Sequence, residues 1–195
     1  MYANQSAFDS PDSFRMATGV DLRNSKAVVD LKGNVLAYAQ TGGMISPMKY
    51  APQIGTAIFR FVKTGVTASE ATEGQWWVEE RDFKKLVSFA NAHDLLTGMA
   101  FRLLCLVPPE WSDLVLLVRC RVRRPILAWR GLGNSVITPR EGGGIVNLPH
   151  QNEIAGRRLY QLFVPGLAKV GRVVLMLERE FVLDRRASAQ GWLYL

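Results

Sequence analysis

The chain has 195 residues, 48% of them hydrophobic and 21% charged, with 24 basic against 17 acidic side chains for a net charge of +7. That length suggests one domain or one domain with an extension, and the apolar content excludes a disordered or collagen-like chain. No run reaches the roughly 18 uninterrupted apolar residues of a membrane span, and Met1-Tyr2-Ala3-Asn4-Gln5 lacks the basic-then-apolar order of a secretory signal, so the expectation is a cytoplasmic protein without membrane contact.

Residues 1–18 are polar and aperiodic and read as a loose N-terminal arm. Two apolar runs around Lys32-Gly33-Asn34 predict a short hairpin, and the Gly, Ser and Pro residues of 41–52 predict a linker. Residues 1–45 are therefore expected to be an arm and 46–195 a single domain. Thr56–Val62 reads as a strand, Gln75-Trp76-Trp77-Val78 follows a polar loop, and Glu79–His93 carries Phe83, Leu86, Val87 and Ala90 at helical spacing. From Met99 onward the pattern reads as β: Phe101–Val107, Asp113–Val122, Ile126–Trp129, Leu159–Val164 and Arg172–Leu183, with a glycine-rich loop over 131–144. One prominent helix after the first core strand, then a β-dominated half, predicts an α+β fold with a mixed or antiparallel sheet.

Familiar catalytic signatures are missing. No Gly-x-Gly-x-x-Gly or phosphate-binding loop opens a helix, and neither Gly-x-Ser-x-Gly nor His-Glu-x-x-His occurs. Two cysteines and two histidines at unrelated spacings make no zinc pattern. Cys105 and Cys120 sit in apolar or alternating runs, where they read as buried strand positions in a reducing compartment.

Four features remain that bear on chemistry. Arg60 interrupts the apolar run Ile58-Phe59-Arg60-Phe61-Val62 and faces either solvent or a cleft. Trp76-Trp77 either closes the core or offers a ring for stacking on a base or nicotinamide. The glycine-rich loop leads into Gln151-Asn152-Glu153, and a second acidic pair, Glu178 and Glu180, lies on a strand-like run; surface ion pairing with neighbouring arginines is the alternative for these acids. Residues 101–195 hold fourteen basic and seven acidic side chains, thirteen of the basic ones arginine. That excess forms a solvated face, or meets an anionic partner such as a nucleic acid, a nucleotide or an acidic protein.

Taken in order, Arg60 on an early strand, the aromatic pair before a helix, and a late Gln-x-Glu or Glu-x-Glu make the chain resemble the mono-ADP-ribosyltransferases. The resemblance implies a split β-sandwich with NAD in its cleft. Arg60 would hold the cofactor's phosphates, with Trp76 and Trp77 beside it. Glu153, or alternatively Glu178 or Glu180, would stabilise the ribose cation as nicotinamide leaves. Gln151, two residues before Glu153, would orient a macromolecular acceptor. The chain departs from the family in having no Ser-Thr-Ser on a middle strand; its nearest polar segment is Asn134-Ser135-Val136-Ile137-Thr138. Two other expectations stand beside this one: a non-enzymatic nucleic-acid-binding module that uses the basic half with Trp111, Trp129 and Tyr160, and an interaction or inhibitor module that meets an acidic protein. The transferase reading requires Arg60, Trp76 and Glu153 or Glu178 to converge on one groove.

Overall fold

The computed structural model describes residues 1–19, 27–29, 32–38, 40–140, 144–150 and 158–183. Two short helices, α1 (Gln5–Phe8) and α2 (Pro11–Ala17), precede the hairpin β1 (Ala27–Val29) and β2 (Val35–Tyr38), which pair antiparallel as the two apolar runs predict. Next come β3 (Gln40–Thr41), β4 (Met44–Tyr50), β5 (Ala57–Val62), the single turn α3 (Ala68–Ala71), β6 (Trp76–Glu79), α4 (Glu80–Ala92) and α5 (Thr97–Cys105). The second half holds β7 (Leu116–Val122), β8 (Ala128–Gly133), β9 (Val136–Pro139), β10 (Ile145–Leu148), β11 (Tyr160–Phe163), α6 (Leu167–Val174) and β12 (Leu175–Val182). No helix among the described residues is long and apolar enough to cross a membrane.

The fold is α+β and β-rich. Its centre is a seven-stranded antiparallel sheet of order β12-β7-β5-β6-β11-β8-β4, accompanied by a three-stranded sheet of order β10-β9-β3. Strand side chains alternate between faces, and here both faces are covered. Ile58, Trp77, Val118, Cys120 and Leu162 pack beneath α3 and α6. On the other face Phe59 and Phe61 meet Phe83 of α4 and Phe101 of α5 in stacked pairs with centroids 4.0 and 4.1 Å apart. Each such pair adds about 0.5–1.5 kcal/mol beyond area burial. Burial on both sides explains why β5 reads as a nearly continuous apolar run.

Several expectations are corrected. Phe101–Val107 is not a strand: its apolar residues have no period-2 alternation, and an apolar run broken only by Arg102 suits a buried helix equally well. Ala100, Leu104 and Cys105 face the core from α5, which ends through left-handed Leu106 just before Pro108-Pro109. Cys105 is buried as expected, but on a helix. The expected linker contains β4, an edge strand that tolerates Pro47 because its N–H side needs no partner. The expected loop at 131–144 contains the end of β8 and all of β9; a Cβ on Gly131 would lie 2.9 Å from the Met44 Cβ across the sheet, so the glycine there permits close strand packing. Arg172–Val174 close α6 rather than opening β12.

The N-terminal residues are not loose. Asn4 is buried; its Nδ2 donates to the carbonyls of Leu127 (2.8 Å) and Pro165 (2.9 Å), and its Oδ1 accepts from the Leu127 N–H (2.8 Å). Phe8 stacks on Trp129, whose Nε1 donates to Ser13 Oγ. One side chain thus joins the entry to β8 with the exit from β11. Replacing Asn4 by alanine strands three buried backbone groups, and the expected loss is about 2–3 kcal/mol in urea unfolding at an unchanged m-value. A loss below about 0.5 kcal/mol is what an arm merely draped on the surface would give.

Candidate ligand-binding cleft

Strand β6 has four residues and divides them between two neighbours. Val78 and Glu79 pair with Phe59 and Ile58 of β5, whereas Trp76 and Trp77 pair with Phe163 and Leu162 of β11. Beyond Phe59 the strands β5 and β6 therefore part, and Arg60 stands at the fork. Its Nη1 donates to the Trp76 carbonyl at 3.0 Å. The guanidinium lies against Gly74, where a Cβ would come within 2.0 Å of its Cζ, so only glycine leaves room. Nε is buried without a hydrogen-bond partner, and no carboxylate among the described residues forms an ion pair with Arg60. Burial pulls its pKa down to about 10, which leaves the group cationic at neutral pH. An enclosed cation without a counter-charge is costly, and a bound anion would relieve that cost.

The fork opens into a cleft of about 240 Å³. Phe59, Phe61, Trp76, Val78 and Gln161 line it from the sheet. The C-terminal end of α5 and the following Trp111–Leu114 segment supply the opposite wall, and Gly42, Gly43 and Asn134 close one end. Gly43 has φ of 71° and meets the backbone of Thr18 and Gly19 so closely that a Cβ would lie 2.2 Å from the Gly19 nitrogen. The N-terminal helices thereby set one end of the cleft. Arg60 is the one charged side chain among the described lining residues. Cys105 also lines it, but burial, with Asp82 nearby, holds its thiol well above the ordinary range, which removes it as a nucleophile. No group of three or more His, Cys, Asp or Glu among the described residues could hold a metal ion.

A polar network fixes the other end of β6. Glu79 accepts from the Tyr50 hydroxyl at 2.8 Å, and Arg130 reaches Glu79 at 3.8 Å and Asp82 at 3.2 Å. The Arg130 guanidinium also lies 3.8 Å from the centroid of the Tyr160 ring, while the Tyr160 N–H donates to Asp82. These contacts tie β4, β8 and β11 to the start of α4.

Of the residues expected to bind a cofactor, Arg60, Trp76 and Trp77 all line this cleft. Trp77 is only 1% exposed and its Nε1 donates to the Gly74 carbonyl at 2.7 Å, so it positions the Arg60 cradle from within the core. Glu153 and Gln151 lie outside the described residues. The alternative acids do not converge on the groove: Glu178 is on β12, two strands from β5, and is ion-paired to Arg119 and Arg121, while Glu180 is exposed on the same strand. Gln161 and Asn134 are site residues that the sequence reading missed. The available signal was Gln161 itself, one amide inside Leu159–Val164 much as Arg60 is one charge inside its own strand.

Part of the basic half is engaged within the molecule. Arg102 is buried and donates to the Val107 and Ser112 carbonyls, Arg119 and Arg121 bind Glu178, Arg130 binds Glu79 and Asp82, and Arg172 binds Glu73. Five of the thirteen arginines in residues 101–195 are thus committed within the molecule.

No protein-family model matches the sequence, and no curated protein matches it. Among solved structures the chain is similar to a chain of the complex of Rhs1-CT with its cognate immunity protein RhsI1, at 12% identity and a TM-score of 0.43, over 74% of this chain and 86% of that one. A likeness this distant assigns neither family nor function.

Two outcomes follow from the geometry. Gly74→Ala should displace the Arg60 guanidinium and impair anion binding as severely as Arg60→Met, measured by titration with inorganic pyrophosphate; unchanged binding in Gly74→Ala would show that the cradle does not position the group. The Tyr50 hydroxyl is pushed up to about 12 by burial and by the Glu79 carboxylate. A raised folded-state pKa gives stability that is complete below the ordinary value near 10 and is lost as pH rises through 12. The stability difference between the native chain and Tyr50→Phe should therefore shrink from pH 10 to 12; a constant difference would count against the Tyr50–Glu79 bond.

Proposed function

We propose that the chain binds NAD in the Arg60 cleft and transfers its ADP-ribosyl group to a macromolecular acceptor. The observation that carries this reading is the guanidinium at the fork of the sheet, without an ion-pair partner among the described residues and walled by aromatic side chains. A pyrophosphate oxygen is a suitable partner for the free edge of Arg60, because guanidinium and phosphate form paired, charge-assisted hydrogen bonds. Aromatic faces favour a cationic ring, and the nicotinamide ring of NAD is a cation. The cleft, at about 240 Å³, is smaller than the roughly 300–1,000 Å³ of a complete small-molecule pocket. It suits one ring and its ribose, with the remainder of the dinucleotide at the mouth.

Bound NAD supplies a glycosidic bond whose cleavage leaves positive charge on the ribose, and a carboxylate aimed at that position stabilises it electrostatically. No carboxylate occurs among the described lining residues. Glu153 is the acid assigned to that task, with Gln151 orienting the acceptor; Glu153 precedes the lining residue Gln161 by eight positions in the chain. The nucleic-acid and acidic-protein readings have less support, since five of the thirteen arginines that motivate them are engaged within the molecule.

The test is NAD binding by calorimetry together with nicotinamide release and label transfer from NAD into a cell lysate. Arg60→Met should weaken NAD binding by about tenfold or more, as loss of a charge-assisted hydrogen bond implies. Glu153→Ala should leave binding near the native value and abolish nicotinamide release. Native affinity in Arg60→Met, or no binding of NAD by the native chain, would overturn the proposal.

A further inference from the structure

Gln161 is a buried amide in an apolar strand, 7% exposed, and its two ends are treated differently. Nε2 donates to the Cys105 carbonyl at 3.2 Å. That carbonyl belongs to the last residue of α5, among the acceptors that a helix leaves without an internal partner. The amide lies directly over Gly133 of the neighbouring strand β8, where a Cβ would sit 2.9 Å from Nε2. A helix end and a glycine thus fix the nitrogen. The oxygen Oε1 is on the other branch of the same planar group; it accepts no hydrogen bond from the described residues, and it is not among the fully buried atoms left without a partner, so it keeps some exposed surface.

Oε1 accepts and does not donate, so it needs an N–H or O–H from elsewhere. Two of the three indole donors of the cleft are engaged elsewhere: Trp111 Nε1 faces Thr138 Oγ1 at 3.4 Å, and Trp77 Nε1 is bonded to the Gly74 carbonyl. A ligand donor that enters the cleft can therefore take this acceptor. Resting on the NAD reading above, we propose that Gln161 is the specificity-determining residue of the cleft, with Oε1 accepting a hydrogen bond from the NH₂ of the nicotinamide carboxamide. The same oxygen rejects the corresponding acid, whose carboxylate would bring acceptor against acceptor. A site built around a substrate donor discriminates strongly against the analogue that lacks it.

Three ligands and one variant test this. The ligands are NAD, its nicotinic acid analogue and ADP-ribose, and the variant is Gln161→Met, which keeps the side-chain length without an acceptor of comparable strength. The native chain should bind NAD at least tenfold more tightly than the acid analogue, and Gln161→Met should lower NAD affinity about tenfold while leaving the analogue within about twofold, so that the preference collapses. The preference is a ratio of two affinities on one protein, which a loss of stability alone does not alter. An unchanged ratio in Gln161→Met, with a lowered melting temperature, would overturn the assignment and reduce Gln161 to a cap for α5. Equal native affinity for NAD and ADP-ribose, both weakened in the variant, would overturn it in favour of an adenine amine at the same oxygen. If the native chain binds none of the three, the NAD reading fails and takes this inference with it.

Discussion

The hydrogen bond from Arg60 to the Trp76 carbonyl holds the sheet at the point where its ladder stops being continuous. A four-residue strand with neighbours on both sides meets a simple constraint: Val78 and Glu79 pair with β5, and Trp76 and Trp77 pair with β11. Where backbone pairing between β5 and β6 ends, a side chain takes over, and that substitution brings a cation to the lining of the cleft. Gly74 must lack a side chain for this to happen, and the carbonyl of Gly74 is in turn held by Trp77. At the opposite end of β6, Tyr50, Arg130 and Asp82 fix Glu79 and the first turn of α4. The fork is thus braced at both ends.

Inward-facing charge is the second theme of the molecule. Arg102 has one relative exposure of 1% and serves two carbonyls around the turn that leaves α5, while Arg119 and Arg121 share one acid across the edge of the sheet. A guanidinium has five donors in a rigid fork and can satisfy several acceptors at once, which is why arginine recurs where irregular backbone has to be closed. Against that background Arg60 differs in kind. Among the described residues it makes one side-chain hydrogen bond and no ion pair. The same residue type is structural at five positions of the second half and faces a cleft at the fork.

The elements legible in the sequence are those with a clean period. Helix α4 shows its 3.6-residue repeat, and β5, β7 and β11 show β-type runs bounded by turn residues. The elements hidden in the sequence have local signals that tertiary packing overrides. Pro47 and the left-handed Ser46 disguise β4, which survives them as an edge strand. Gly131 and Gly133 look like loop residues, although neighbouring side chains need the space that they leave. Helix α5 is apolar nearly throughout its second half and carries no period. The site was half legible for a related reason. Arg60 stands out because a charge within an apolar run demands an explanation, whereas Gln161 passes as the outward-facing member of an alternating strand. Glu178 resembled a catalytic acid only because its arginine partners lie on the neighbouring strand, some 57 residues earlier in the chain.

Asn4 bonds to residues 123 and 161 positions further along the chain. Loop closure over such separations is slow relative to local helix formation. During synthesis the amide of Asn4 waits without its partners until Pro165 has left the ribosome, and Trp129 emerges long after the Phe8 ring that will cover it. Asn4 is thus made early and locked in late, and folding intermediates of this protein should carry an undocked segment around it.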